Sequence, residues 1–150
     1  MKGAQAHPRL VIRASSHCAD KDAHPALFKE AIDGGFRALD ELRSAGVIKA
    51  IGMGVNEWEV CEQGLRAADF DCFLLAGRYT LLEQESLNSF LPLCEEKNVG
   101  IVIGGAYNSG ILATGAVEGA RFNYAPAPQD VLDKVSKIEA ICDRHGVSLK

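Results

Sequence analysis

The chain has 150 residues, a formal net charge of −4, and a composition that is 47% hydrophobic and 24% charged, which is typical of one globular domain. Lysine and arginine are scattered, and no apolar run approaches the roughly 18 residues of a membrane span. We therefore expect no nucleic-acid partner and no membrane partner. The start lacks the apolar core of a signal peptide. The five cysteines form no C-x-x-C pair, which favours reduced thiols, a cytoplasmic location and no metal site.

Apolar residues alternate between the spacing of strands and the spacing of helices along the chain. The predicted strands are residues 10–14, 47–53, 71–77 and 99–104. The predicted helices are residues 25–46, 56–68, 86–97 and 131–145. Asn56 and Glu59 have the spacing of a capping box, which would start the second helix. A glycine-rich loop separates the last strand from the last helix.

The order β-α-β-α-β-α-β-loop-α predicts an α/β fold, because one helix between successive strands is typical of parallel crossovers. The third strand is almost wholly apolar, which predicts cover on both faces. We expect an open sheet of four parallel strands with helices on its outer face. We expect Met53, Leu75 and Ile103 on its bare inner face. Unpaired edges and an apolar inner face predict self-association.

Three blocks of sequence resemble the aldo-keto reductase superfamily. They are ALDELRSAGVIKAIGMGVN (38–56), FLLAGRYTLL (73–82) and GGAYNSGIL (104–112), in the family's order. They are similar to the branch of NAD(P)-dependent sugar dehydrogenases that act on D-threo-aldoses such as L-fucose, with the pyridoxal 4-dehydrogenases nearby. The resemblance implies one incomplete domain, a partial (β/α)8 TIM barrel that covers strands four to seven. Residues 1–26 are divergent and residues 27–150 are family-like.

The resemblance also implies a reaction, namely hydride transfer between NAD or NADP and a sugar (aldose) or another small aldehyde or alcohol. Family enzymes use a Tyr, an Asp, a Lys and a His. The first three belong to the half of the barrel that this chain does not resemble, so we expect the chain to be a truncated form with little activity alone. His17, three residues beyond the first predicted strand, is the candidate for the catalytic histidine. The alternative for His17 is a solvated loop residue.

Cofactor contacts are implied at the ends of two strands. Asn56 matches the family's asparagine that binds the nicotinamide carboxamide, and its alternative role is a helix N-cap. The loop that follows the last strand matches the family's pyrophosphate loop, whose backbone N–H groups hold the anion. The residues of that loop are Tyr107, Asn108, Ser109, Gly110, Ile111 and Leu112. Gly104 and Ala76 replace the family's stacking aromatic and its second amide, and Tyr107 is the candidate substitute for the aromatic.

Substrate contacts are implied at Arg78 and Tyr79, which close the third strand at the same face. The alternative for Arg78 is an ion pair with Glu83 or Glu85. Two other functions stay open at this point. One is a non-catalytic barrel fragment or half-barrel subunit, and the other is a nucleotide-binding module without chemistry.

Overall fold

The computed structural model of the chain describes residues 10–12 and 24–150. Within them lies a sheet of four parallel strands in the order β1-β2-β3-β4, as predicted. These strands are β1 (Leu10–Ile12), β2 (Ile51–Val55), β3 (Cys72–Ala76) and β4 (Gly100–Gly104). The α-helices are α1 (His24–Glu30), α2 (Arg37–Ser44), α3 (Trp58–Ala67), α4 (Phe90–Glu96), α5 (Ile111–Thr114) and α6 (Gln129–Arg144).

Shorter elements complete the order. A π-helical stretch, Ala31–Phe36, joins α1 to α2, so the predicted first helix is one continuous helical segment. Two 3-10 turns, Glu85–Asn88 and Asn108–Gly110, lead into α4 and α5. Between α5 and α6 lies a small antiparallel hairpin of β5 (Arg121–Phe122) and β6 (Ala125–Pro126), which the sequence analysis does not predict.

The main core lies between one face of the sheet and the helices. Phe73 is fully buried at its centre, and its ring lies 5.2 Å from that of Phe70 and 5.5 Å from that of Phe90. Phe36 extends this row of rings from the π-helical stretch, 4.8 Å from Phe70. Because aromatic side chains bury large apolar areas, this row joins β3 to the helices on both sides of it.

Among the described residues, the other face of the sheet is bare at β3 and β4, and the side chains on the two faces correct two predictions. Met53 and Leu75 are buried on the helix side and not on the inner face. Ile103 pairs in register with Leu75 and therefore shares that side, at the edge of the sheet. Leu74 is 39% exposed and Val102 is 53% exposed, so β3 is not covered on both faces. The sequence pattern shows only that a strand is apolar and not what covers it.

A smaller cluster of buried residues anchors the C-terminal third of the described chain. It consists of Ile111, Leu112, Val131 and Val135 and packs α5 against α6. The Glu139 side chain of α6 accepts a hydrogen bond from the Ala116 N–H at 3.1 Å. A Cβ at Gly115 would collide with this carboxylate, and Gly115 has φ +84°. This cluster holds the segment after β4 in place.

Candidate functional site

The candidate site lies at the carboxyl-terminal edge of the sheet. In parallel strands these ends lie side by side, and in α/β barrels this edge carries the active site. Asn56 directly follows β2, Arg78 and Tyr79 follow β3, and Tyr107 follows β4. The structure therefore brings the predicted cofactor and substrate residues to one rim, on three neighbouring strands.

Asn108 joins the ends of β3 and β4. Its Nδ2 group donates a hydrogen bond to the Gly77 carbonyl at 2.9 Å, and the Gly77 N–H donates to the Gly104 carbonyl at 2.8 Å. Asn108 is only 4% exposed, and its Oδ1 atom is buried without a hydrogen-bond partner among the residues that the structure describes. A buried unpaired acceptor lowers stability, and such groups are concentrated at functional sites. Asn108 therefore fixes the start of the loop after β4 to the end of β3.

The loop after β4 has an unusual backbone. Asn108, Ser109 and Gly110 all have positive φ, at 47°, 60° and 99°. The N–H groups of Gly110 and Leu112 donate to the Tyr107 carbonyl, so these two groups serve the loop itself. The side chains of Ile111 and Leu112 belong to the smaller core cluster. Among the six predicted cofactor residues of this loop, the exposed ones are Tyr107 and Ser109.

The β5–β6 hairpin reaches this rim. Arg78 Nη1 donates a hydrogen bond to Asn123 Oδ1 at 3.1 Å and contacts the Gly77 carbonyl at 3.3 Å. The Tyr124 N–H donates to Ser109 Oγ at 3.2 Å. The sequence analysis missed Asn123 and Tyr124. The available signal was a single asparagine, a residue that favours turns, but strands of two residues are too short to show alternation.

The structure corrects the alternative given for Arg78. Glu83 and Glu85 both lie in the described part of the chain, and no ion pair joins either to Arg78 there. The guanidinium is half-buried and directed to the hairpin tip instead. Thus Arg78 links the end of β3 to the hairpin, and Tyr79 beside it is exposed.

The capping box predicted at Asn56 is also wrong. The N-cap of α3 is Glu57, in an extended conformation and without a side-chain cap hydrogen bond. Asn56 is half-buried, and within residues 24–150 its amide makes no side-chain hydrogen bond that would bind it to the protein. The reason is that β2 continues to Val55, which leaves Asn56 at the rim. Its carbonyl and NH2 groups are therefore suited to a ligand.

Other chemistries find less support in the described residues. His17 and Cys18 lie outside them. Burial raises the pKa of Cys61 to about 12 and that of Cys94 to about 11, so both are neutral thiols at pH 7 and poor nucleophiles. No group of three or more metal-ligating side chains occurs within residues 24–150. In the same range, no helix is both long and apolar enough to cross a membrane.

A second feature is a groove of about 280 Å³ between α3 and the start of α4. It is lined by Trp58, Glu59, Glu62, Gln63, Arg66 and Ser89. Ser89 Oγ donates to Glu62 Oε2 at 2.5 Å, and Arg66 Nη2 donates to Glu62 Oε1 at 2.7 Å. These two hydrogen bonds lower the pKa of Glu62. Glu62 and Arg66 are thus already paired within the groove.

Comparison with known proteins shows the family to which the chain belongs. The Aldo/keto reductase family matches residues 14–150. Over 116 residues the chain is 49% identical to a pyridoxal 4-dehydrogenase from Microbacterium luteolum, covering 77% of this chain and 34% of that protein. Over 120 residues it is 40% identical to a D-threo-aldose 1-dehydrogenase from a Pseudomonas species, covering 79% of this chain and 36% of that protein. The chain thus spans about a third of the length of these relatives. It belongs to the aldo/keto reductase family, and its parallel sheet with outer helices is part of a (β/α)8 barrel.

Proposed function

We propose that the chain forms the cofactor-binding part of an NAD(P)-dependent oxidoreductase. The reaction is hydride transfer between nicotinamide and the carbonyl or hydroxyl carbon of a sugar (aldose) or another small aldehyde or alcohol. Membership of the family and two relatives that are both named dehydrogenases support this proposal. The cofactor supplies the redox chemistry, while the protein binds and orients the reactants.

The observation that carries the proposal is the Asn56 amide at the rim, which makes no hydrogen bond within the described residues. A carboxamide such as that of nicotinamide offers one carbonyl acceptor and one NH2 donor, and an asparagine side chain matches both. We assign the carboxamide to Asn56.

The loop after β4 provides the second contact. Positive φ at three successive residues, Asn108, Ser109 and Gly110, sets a tight turn that leaves Ser109 exposed at the rim. Ser109 Oγ accepts the Tyr124 N–H, which leaves its own hydroxyl proton to donate. We assign the pyrophosphate to the Ser109 hydroxyl, beside the exposed Tyr107. Gly110, Ile111 and Leu112 hold the loop in place, because their N–H groups bond to carbonyls within it.

We expect the substrate to bind beside the end of β3. Tyr79 is exposed there, and Arg78 is held at the rim by Asn123. Phenol and guanidinium groups both donate hydrogen bonds to hydroxyl oxygens, which suits a hydroxylated substrate. Arg78 and Tyr79 are therefore the residues we propose for the side of the site that faces the substrate.

Replacing Asn56 with alanine should weaken NAD⁺ or NADP⁺ binding about tenfold. A net hydrogen bond contributes about 0.5–1.5 kcal/mol, and about 1.4 kcal/mol corresponds to a factor of ten. Asn56→Asp, which keeps the acceptor and loses the donor, should also bind more weakly. Isothermal titration measures each affinity, and the fluorescence of Trp58, the one tryptophan of the chain, provides a second signal.

The matched control is Asn88→Ala, at an exposed asparagine before α4. We expect it to bind the dinucleotide as the unmodified chain does. Equal affinities of Asn56→Ala, Asn88→Ala and the unmodified chain would remove Asn56 from the site.

We also propose that the 150-residue chain self-associates through the bare face of its sheet. Leu74 and Val102 are exposed there, and this face points to the interior of a complete barrel. Sedimentation at micromolar concentrations should show dimers or larger species, and Val102→Lys should shift them toward monomer. A well-folded monomer for the unmodified chain over the same range would contradict the proposal.

A further inference from the structure

Arg78 is held at the rim through both its backbone and its side chain. The buried Ser86 Oγ donates a hydrogen bond to the Arg78 carbonyl at 2.8 Å. The guanidinium Nη1 donates to Asn123 Oδ1 at 3.1 Å and contacts the Gly77 carbonyl at 3.3 Å. Holding a long side chain in one conformation costs rotamer entropy. These contacts therefore give the guanidinium a defined position at the end of β3.

The charge of Arg78 has no carboxylate partner within residues 24–150. In the same range, Arg37, Arg43 and Arg66 each form an ion pair with an acidic side chain, and Arg78 forms none. The hydrogen bonds of Arg78 there use only Nη1, which leaves the N–H groups of Nε and Nη2 to donate. Because a half-buried charge is unfavourable without a compensating charge, this side chain is suited to an anion.

A second arginine reaches the same hairpin tip. Arg121 Nη2 donates to the Tyr124 carbonyl at 2.7 Å, one residue beyond the Asn123 side chain that binds Arg78. No acidic side chain of residues 24–150 forms an ion pair with Arg121 either. The two residues of the tip thus bind two guanidinium groups. Like charges repel each other, and an anion bound beside both would offset that repulsion.

A hydroxyl donor lies at the same tip. The Tyr124 N–H donates to Ser109 Oγ at 3.2 Å, which leaves the Ser109 hydroxyl proton for a ligand. Ser109 is exposed, with φ 60°, and such backbone conformations are concentrated at ligand-binding positions. Guanidinium groups and a hydroxyl together are donors suited to the oxygens of a phosphate.

We propose that Arg78, Arg121 and Ser109 form a phosphate-binding site at the tip of the β5–β6 hairpin. Arg78 donates from Nε and Nη2, in the two-pronged geometry that guanidinium groups use for phosphate oxygens, and Arg121 adds a second positive charge. The inference rests on the proposed function for the identity of the ligand, and it deepens that function by making the ligand an anion at this point. The phosphate belongs to the dinucleotide or to a phosphate ester of the substrate.

Binding of inorganic phosphate tests the site directly. Amide chemical-shift changes, measured at constant ionic strength set with sodium chloride, should saturate at Arg78, Ser109 and Asn123. Arg78→Gln removes the charge and should weaken phosphate binding about tenfold or more, because hydrogen bonds to charged groups are the stronger ones. Arg78→Lys keeps the charge without the fork and should bind more weakly than the unmodified chain but more tightly than Arg78→Gln. Arg121→Gln, at an exposed position where folding is not at risk, should weaken binding about threefold.

The matched control is Arg144→Gln. Arg144 is an exposed arginine in the last turn of α6 and, like Arg78, forms no ion pair within residues 24–150. It should bind phosphate as the unmodified chain does. Equal phosphate affinity in Arg78→Gln, Arg121→Gln and Arg144→Gln, or no saturable changes in the unmodified chain, would overturn the inference. The proposed function would then still be decided by the dinucleotide affinity of Asn56→Ala.

Competition between phosphate and NAD⁺ or NADP⁺ identifies the source of the phosphate. If the dinucleotide supplies it, phosphate at ten times its own Kd should weaken dinucleotide binding about tenfold, by mass action. If the substrate supplies it, phosphate and dinucleotide bind together, and L-fucose 1-phosphate should bind more tightly than L-fucose, but not in Arg78→Gln. Simultaneous binding without that preference would overturn the inference. Absence of dinucleotide binding by the unmodified chain would overturn the proposed function, but not phosphate binding that depends on Arg78.

Discussion

Replacing Phe73 with alanine should lower the free energy of unfolding by about 3–5 kcal/mol, the usual cost of removing a buried phenylalanine. Phe73 is fully buried at the centre of β3, and its ring contacts those of Phe70 and Phe90. The cavity would adjoin β3, α4 and the row of rings, whose positions leave little room for collapse. Chemical denaturation followed by circular dichroism measures the change. The free energy of unfolding of a typical domain is about 5–15 kcal/mol, so this substitution would remove a large part of it.

Leu74→Ala is the matched control for this substitution. Leu74 is the next residue of the same strand, but it lies on the bare face and is 39% exposed. This substitution should lower the free energy of unfolding by less than about 1.5 kcal/mol, because much of the Leu74 side chain already contacts water. A similar loss for both variants would mean that the bare face is packed as tightly as the helix-covered face.

The second large effect concerns catalysis. We expect the purified 150-residue chain to show no measurable NAD(P)-linked oxidation of L-fucose or related aldoses. Oxidation of an alcohol needs a base for the hydroxyl proton, and general acid–base catalysis contributes roughly 10²–10⁴-fold. The family's Tyr, Asp and Lys have no counterpart in the blocks that this chain matches. Positioning of the reactants contributes roughly a further 7–11 kcal/mol, and it requires both walls of the barrel.

The measurement is NADH or NADPH absorbance over time at increasing protein concentration. A complete aldose dehydrogenase, assayed in parallel with the same substrate, serves as the positive control. A steady rise that scales with the amount of chain and disappears in Asn56→Ala would contradict the expectation. It would also assign turnover to the residues described at the rim. A dinucleotide that binds without turnover is the result that agrees with the proposed site.

The bounds of a strand could be predicted from the sequence where a run of apolar residues lies entirely within that strand. The third strand was expected at residues 71–77 and is found at Cys72–Ala76. The second was expected at residues 47–53 but lies at Ile51–Val55. Here Val47 closes α2, because its N–H donates to the Leu42 carbonyl while Gly46, at φ +70°, donates to that of Arg43. An apolar residue after a helix-ending glycine is typical of this cap, and it resembles the start of a strand.

The candidate site was predictable where it follows directly from strand order. Asn56 and the loop after β4 reach the same rim because parallel strands end there. The contacts from Asn108 to Gly77 and from Tyr124 to Ser109 join residues 31 and 15 positions apart. No local periodicity encodes such long-range contacts, and the positive φ of Asn123 and Tyr124 is visible only in the backbone angles. For that reason the sequence predicted which segments reach the rim and missed the hairpin that contacts them.

The most direct test of the account is a map of dinucleotide binding on the chain by amide chemical-shift changes during titration with NADP⁺ or NAD⁺. We expect the largest changes at Asn56, Gly77 and residues 107–110, with further changes at Asn123 and Tyr124. The groove lined by Trp58, Glu62 and Arg66 should show changes only at Trp58, which lies next to the rim. Changes centred on Glu62 and Arg66, or no saturable changes at all, would contradict a dinucleotide site at the carboxyl ends of the strands.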